Sequence, residues 1–333
     1  MIVPILLFIL GFVFLIKGGD WFVDGAVNIA HRFHLPELLI GATVVSIGTT
    51  LPEVMVSSTA AFQGQAETAY GNAIGSVICN TALISALTLA IRPTETKRKT
   101  LLLPVGSFFV AAIFYCVIAY LMGEFNRWTG IVLLVMFFVY MFISIKSTIK
   151  NKEEVEPLEA EVNDNGEEKE KKKETKLWLD IVLLVVGAAL IAVGAKLLVD
   201  NGTKIAEWLG VPESVIALTF IALGTSLPEL VTAITSLAKG HSSLSLGNVI
   251  GANLFNIILV CGMAITIKPF AIPVEKTFLQ TGISSSFVID IPVMLLSMLI
   301  LAVPPIIKGK MYRWQGIVLL VLYVAYCVYQ FVL

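Results

Sequence analysis

The chain has 333 residues, 57% of them hydrophobic and only 14% charged, with a formal net charge of −1, and its mean hydropathy is +0.89. A water-soluble domain of this length needs far more polar surface, so the composition excludes one and predicts an integral membrane protein. The net charge itself says nothing about partners beyond the lipid bilayer, and no nucleic acid is expected among them.

Ten apolar runs, each about 20 residues or longer, match a hydrocarbon core of roughly 30 Å. They predict helices near 3–30, 36–62, 68–91, 101–122, 127–149, 177–207, 212–238, 243–267, 284–305 and 313–332. No ten-residue alternation of the kind a membrane β-barrel requires recurs. The first run lacks a basic leader and an A-x-A cleavage pattern, so it reads as a retained helix. Asp20 and Asp24 lie near its end, as Lys196 and Asp200 do in the sixth run, and all four read as interfacial charges.

The second run carries GTTLPE at residues 48–53 and the third opens with GNAIGS at 71–76. Pro52 has no N–H for the carbonyl of Gly48, which predicts a break or kink that frees oxygens around residues 46–49. Ser46, Thr50 and Glu53 share one helix face, as do Asn72, Ser76 and Asn80. After the fifth run comes the one strongly polar stretch, about 151–176, dense in Glu and Lys and unable to fold alone; it reads as a linker.

Beyond the linker the pattern repeats at an offset of 176 residues. Asp24 recurs as Asp200, Pro36 as Pro212, Glu53 as Glu229, Gly71 as Gly247, Asn80 as Asn256 and Pro93 as Pro269. GTSLPE occupies 224–229, with Ala222, Thr225 and Ser226 at matching places, and GNVIGA occupies 247–252. Gly71 with Gly75, and Gly247 with Gly251, form small-xxx-small pairs that predict close helix approach. In the ninth run Asp290 precedes Pro292 and reads as a helix N-cap. The last helices match too, RWTGIVLLV from Arg127 and RWQGIVLLV from Arg313. Five spans per half is an odd number, so the second copy enters the membrane from the opposite side. The fold class expected is therefore all-α, ten transmembrane helices in two inverted five-helix repeats: 1–150, the linker 151–176, and 177–333. Secondary transporters are often built this way, with the site where broken helices meet.

Lys and Arg concentrate in one set of short loops (Arg32; Arg92, Lys97, Arg98 and Lys99; Lys239; Lys308, Lys310 and Arg313) over the other (Arg127, Lys204, Lys268 and Lys276). The richer side is cytoplasmic by the positive-inside rule. Both termini are then extracellular and the linker cytoplasmic.

An intramembrane carboxylate costs roughly 2.5–3.5 kcal/mol on insertion scales and usually faces a cavity with a task. A lone Glu or Asn can serve packing, but the recurrence of Glu, Asn, Thr and Pro together predicts a cage of oxygens. Hard cations take such ligands, Ca²⁺ wanting about 6–8 oxygens. Zinc or copper has no ligand set here, because His31, His34 and His241 fall in loops and the four cysteines, Cys79, Cys116, Cys261 and Cys327, read as packing residues. With no nucleophile and His pair in the spans, an enzyme is not expected.

With GTTLPE, GNAIGS, GTSLPE and GNVIGA in this order, the chain resembles the cation/calcium antiporter superfamily, specifically the prokaryotic sodium/calcium exchangers. The resemblance covers essentially everything outside the linker. It implies alternating access, the first and sixth helices sliding as a gate past the other eight, with Ca²⁺ and Na⁺ as substrates, a plasma-membrane location, no cofactor and a monomer. It implies that Glu53 and Glu229 hold Ca²⁺ with backbone oxygens of Thr49 and Thr225, and that Ser46, Thr50, Ser76, Asn80, Ala222, Ser226 and Asn256 complete sodium sites or their surroundings. Ala252 stands where the family has a hydroxyl, Thr50 where serine is commoner, and Asn256 where potassium-dependent members have Asp. Gly75 and Gly251 stand where proton-coupled members carry a glutamate. A proton-coupled Ca²⁺ antiporter on the same scaffold is the alternative, and a cation channel a further one.

Overall fold

A computed structural model describes residues 2–93, 96–150, 176–210, 224–273, 278 and 282–332. Most of the linker and residues 212–223 of the seventh predicted run therefore lie outside the described residues. Counted among the described residues, the helices in chain order are α1 (Ile2–Arg32), α2 (Glu37–Gln63), α3 (Ala66–Ile91), α4 (Arg98–Met122), α5 (Arg127–Lys150), α6 (Leu177–Trp208), α7 (Leu227–Ala238), α8 (Ser242–Ile267), α9 (Ser286–Lys308) and α10 (Arg313–Val332). Eight of these, all but α7 and α10, are long and apolar enough to cross a membrane by length and composition. Among the described residues the regular structure is helical, with one two-residue ladder in which Glu124 and Phe125 pair antiparallel with Ala271 and Phe270.

Packing divides the helices into two bodies. The larger core is built from α3, α4, α5, α8 and α9, around fully buried Phe108, Tyr115, Leu133 and Phe255. The second gathers α1, α6 and the start of α2 around Phe22, Val23 and Ile191. Helices α1 and α6 run antiparallel and touch backbone to backbone. A Cβ on Gly11 would stand 2.9 Å from the carbonyl of Gly194, one on Gly18 2.9 Å from that of Gly187, and one on Gly25 2.7 Å from that of Asp180. Glycine thus recurs every seventh residue along the seam, and glycine alone allows such an approach. At the end of the seam the fully buried Asp180 accepts from Asn28 Nδ2 at 3.0 Å and from Arg32 Nη2 at 3.2 Å. The acidic residues of α1 have a different partner: Lys239 Nζ lies 2.9 Å from Asp24 and 3.4 Å from Asp20, all partly exposed, in keeping with interfacial charges.

Three expectations need correction. His31 is in the last turn of α1 rather than in a loop. Asp290 makes no side-chain cap; it closes a π turn and accepts hydrogen bonds from Tyr326 Oη at 3.2 Å and Gln330 Nε2 at 2.7 Å, which draw its carboxylate toward α10. Helix α9 does not stop at 305 but runs through Pro304 and Pro305 to Lys308. Those prolines cannot bond the carbonyls four residues back, at Ile300 and Leu301. The Gln315 amide supplies the missing donor, its Nε2 reaching Ile300 O at 2.7 Å and Leu301 O at 3.3 Å. Gln315→Leu is therefore expected to leave both carbonyls buried and unmet, costing about 1–3 kcal/mol. A lower thermal midpoint of the purified protein reads this loss, and an unchanged midpoint refutes the role.

Candidate cation-binding site

Helix α2 begins regularly after Pro36, then widens into a π turn at Gly41–Val45 before resuming as an α-helix from Ser46. Two further π turns begin at Asn80 in α3 and at Asn256 in α8, the residues matched at the 176-residue offset. Single π turns inside helices concentrate at functional sites. Pro52 does not break its helix, contrary to expectation: the α-helix continues from Ser46 to Gln63, and the irregularity sits two to three turns upstream. The second copy differs among the described residues. Gly224, Thr225 and Ser226 form a turn, and α7 starts at Leu227 with Pro228 in its first turn, where a missing N–H has no partner to lose.

The start of α2 lies flush on α8. A Cβ on Gly41 would be 2.9 Å from the Asn248 nitrogen, one on Gly247 2.9 Å from the Leu38 carbonyl carbon, and one on Gly251 2.6 Å from the Ala42 Cα. The close approach expected of Gly247 and Gly251 is thus present. Gly71 and Gly75 meet no described neighbour within 4 Å; the residues matching Leu38 and Ala42 are 214 and 218, outside the described residues.

The two motifs converge. Thr49, Pro52 and Pro228 line one small crevice together with Phe22 of α1 and Ile191 of α6. The Thr50 hydroxyl, one turn before Glu53, lies 3.5 Å from Glu229 Oε1. Ser46, Thr50, Glu53, Glu229, Asn80 and Asn256 are completely shielded, and Thr49, Ser76 and Ser226 nearly so. Thr225 is half-buried and Ala252 buried; Ala222 lies outside the described residues.

Polar atoms in this shielded cluster lack partners among the described residues. Both carboxylate oxygens of Glu53, Oε2 of Glu229, both amide atoms of Asn80 and of Asn256, and the Ser226 hydroxyl have no hydrogen-bond partner among the described residues. No basic side chain pairs with either glutamate among the described residues. A buried carboxylate left so must hold a cation or a proton, because uncompensated charge at low dielectric is prohibitively costly. No three His, Cys, Asp or Glu side chains gather among the described residues, so the donors that would complete such a site are neutral oxygens.

Two residues absent from the expected ligand set belong to this cluster. Asn248 Oδ1 accepts from the Thr49 hydroxyl at 3.1 Å and lies 3.4 Å from Ser46 Oγ, whose hydroxyl also reaches Gly41 O at 2.7 Å and Asn248 O at 3.0 Å. Asn72 Oδ1 accepts from the Thr225 hydroxyl at 3.1 Å. Their place in GNAIGS and GNVIGA, on the face of Asn80 and Asn256, was the available signal.

A helical multi-pass membrane protein with two sequestered acidic side chains among amide and hydroxyl oxygens is built to take up small cations, and its class is that of membrane ion carriers. The chain belongs to the sodium/calcium exchanger protein family, whose model matches residues 3–146 and 179–332. It is similar to the sodium/calcium exchanger MaX1 of Methanosarcina acetivorans, 31% identical over 355 residues covering 99% of each chain. It is also similar to the inner membrane protein YrbG of Escherichia coli, 32% identical over 280 residues and 81% of each chain. Among solved structures it resembles the sodium-calcium exchanger NCX_Mj soaked with Na⁺ and Sr²⁺, with a TM-score of 0.77, 31% identity and 97% of each chain covered. The relatives with a stated activity are exchangers, and the protein is a membrane exchanger rather than an enzyme.

Proposed function

We propose that the chain is a Na⁺/Ca²⁺ antiporter of the plasma membrane that extrudes Ca²⁺ by alternating access, driven by the inward Na⁺ gradient. The observation that carries this reading is the pair of buried carboxylates contributed by the two matched motifs: among the described residues neither oxygen of Glu53 has a partner, and of Glu229 only Oε1 is met, by the hydroxyl of Thr50 one turn before Glu53. Two carboxylates neutralise one Ca²⁺, with main-chain oxygens of Thr49 and Thr225 completing its shell. Na⁺ ions take neighbouring positions among Ser46, Thr50, Ser76, Asn80, Ala222, Ser226 and Asn256. Ions crowded on the same glutamates repel, so occupancy by one species expels the other, which is the physical basis of exchange. If more positive charge enters than leaves, the membrane potential adds about 2.3 kcal/mol per charge per 100 mV.

The architecture in this reading is ten transmembrane helices in two inverted repeats, 1–150 and 177–333, joined by the cytoplasmic linker 151–176, with both termini extracellular and the protein working as a monomer without a cofactor. Antiparallel packing of α1 on α6 supports it, since these open the two halves. So do contacts between connections that this topology puts on one side. Thr96 N bonds Gly309 O at 2.9 Å, Glu37 meets His241 at 2.8 Å, and the short ladder joins the turn after α4 to the segment after α8.

Purified protein in liposomes, with Na⁺, H⁺ and K⁺ gradients imposed one at a time, tests the function. Ca²⁺ movement is expected to follow the Na⁺ gradient alone. Movement that tracks a pH gradient with no Na⁺ present assigns proton coupling instead, and flux without any counter-ion assigns a channel.

A further inference from the structure

Threonines inside helices ordinarily bond their own backbone, and this protein shows the habit clearly. Thr43 donates to Leu39 O at 2.6 Å, Thr81 to Val77 O at 2.7 Å, Thr266 to Gly262 O at 2.7 Å and Thr88 to Ser85 O at 2.9 Å. Thr49 in the first motif departs from it, and Thr225, in the turn before α7, makes the matching bond. Thr49 lies 3.5 Å from Ser46 O but 3.1 Å from Asn248 Oδ1, and Thr225 donates to Asn72 Oδ1 at the same 3.1 Å. Each hydroxyl is drawn across to the other half of the chain. Thr49 is matched with Thr225 and Asn72 with Asn248 at the 176-residue offset, so the same bond is made twice, in opposite senses.

We propose that Asn72 and Asn248 are positioning residues of the cation site: each holds the threonine of the opposite half by its hydroxyl, fixing the main chain at Thr49 and Thr225 beside the glutamates. The role rests on the reading that this site carries Ca²⁺. The Ser46 carbonyl then receives only a long 3.5 Å contact from Thr49, against the 2.6–2.7 Å bonds that Leu39, Val77 and Gly262 receive. The two asparagines are not equivalent. Asn72 Nδ2 also donates to Glu53 O at 3.3 Å and to Ser57 Oγ at 2.9 Å, so it ties Thr225 to the backbone of the opposite glutamate. Asn248 Nδ2 has no partner among the described residues, because Ala233 stands where the first half has Ser57. Loss of Asn72 is therefore the more damaging.

Ca²⁺ self-exchange in proteoliposomes free of Na⁺ provides the test, since it needs no particular coupling ion. Thr49→Val, which keeps the backbone carbonyl and the side-chain shape, and Asn248→Ala are each expected to raise the KM for Ca²⁺ about tenfold, the loss of roughly one hydrogen bond. The double variant should be no worse than either single one, and Thr49→Ser should regain most of what Val loses. Thr225→Val with Asn72→Ala repeats the cycle, with a larger loss for Asn72→Ala, and reads the same bond from the threonine side if the asparagine variant does not fold. Additive losses, or a KM unchanged in Thr49→Val and Thr225→Val, overturn the role. Wild-type protein that shows no Ca²⁺ self-exchange overturns instead the Ca²⁺ reading on which the role rests.

Discussion

Glu53→Gln is expected to reduce Na⁺-dependent uptake of radiolabelled Ca²⁺ to the level of protein-free liposomes. Glutamine preserves the size of the side chain and one carbonyl oxygen, so the packing of α2 is unchanged while one of the two negative charges is removed. A divalent ion then enters a dry site with half its charge uncompensated. Removing one partner of a desolvated charge pair costs about 2–5 kcal/mol, a factor of about 30 to several thousand. Glu229→Gln is expected to behave alike, since it removes the other of the two charges, whose Oε1 meets the hydroxyl of Thr50 one turn before Glu53. Asp200→Asn, an exposed position on α6, serves as the charge control and should transport normally. Uptake like that of the wild type in Glu53→Gln would remove the central ligand from the proposed site.

Gly251→Leu is the second change expected to silence the protein, through packing instead of charge. A Cβ at this position would stand 2.6 Å from the Ala42 Cα and overlap the Ser46 hydroxyl. Backbone atoms in a helix cannot yield as a flexible side chain does, so α2 must shift away from α8. Overpacking of this kind costs typically about 1–3 kcal/mol in stability. The functional loss is larger, because the displaced segment bears Ser46, Thr49 and Thr50. Transport should vanish while a reduced amount of folded protein is still recovered, and Gly251→Ala should fall between. Gly106→Ala, an exposed site on α4 with no described neighbour within 4 Å, should change neither. Full activity in Gly251→Leu would show that the contact of α2 with α8 does not shape the site.

Helix limits were legible wherever hydrophobicity alone decides them: α8 and α10 lie within a residue of expectation. They were not where a distant side chain decides. Nothing near Pro304 and Pro305 announces that Gln315 will satisfy the carbonyls they abandon, so α9 was read as ending at 305. The break or kink expected at Pro52 is absent, the α-helix running through it from Ser46 to Gln63. Sequence marks the missing donor, whereas the helix is irregular two to three turns earlier, where Gly41 lets α2 lie against α8. Glu53, Glu229, Asn80 and Asn256 were legible because an apolar span makes each polar residue conspicuous. Asn72 and Asn248 were seen on the right face yet left out of the ligand set. Periodicity reveals which residues share a side of one helix, not which threonine of the other half faces them.

The seam between α1 and α6 has a mechanical consequence. Glycines at seven-residue intervals leave no slack for either helix to slip along the other: Leu190, Leu197 and Phe14 flank the crossings with Cβ atoms 2.9–3.3 Å from where a glycine Cβ would lie. The buried contact of Asp180 with Arg32 and Asn28 pins the end of the pair. In an alternating-access cycle the two helices therefore travel together as one shutter. Under the proposed alternating access, a single displacement would then govern both doorways, so that opening one closes the other and the joinery of the chain itself guards against a continuous leak.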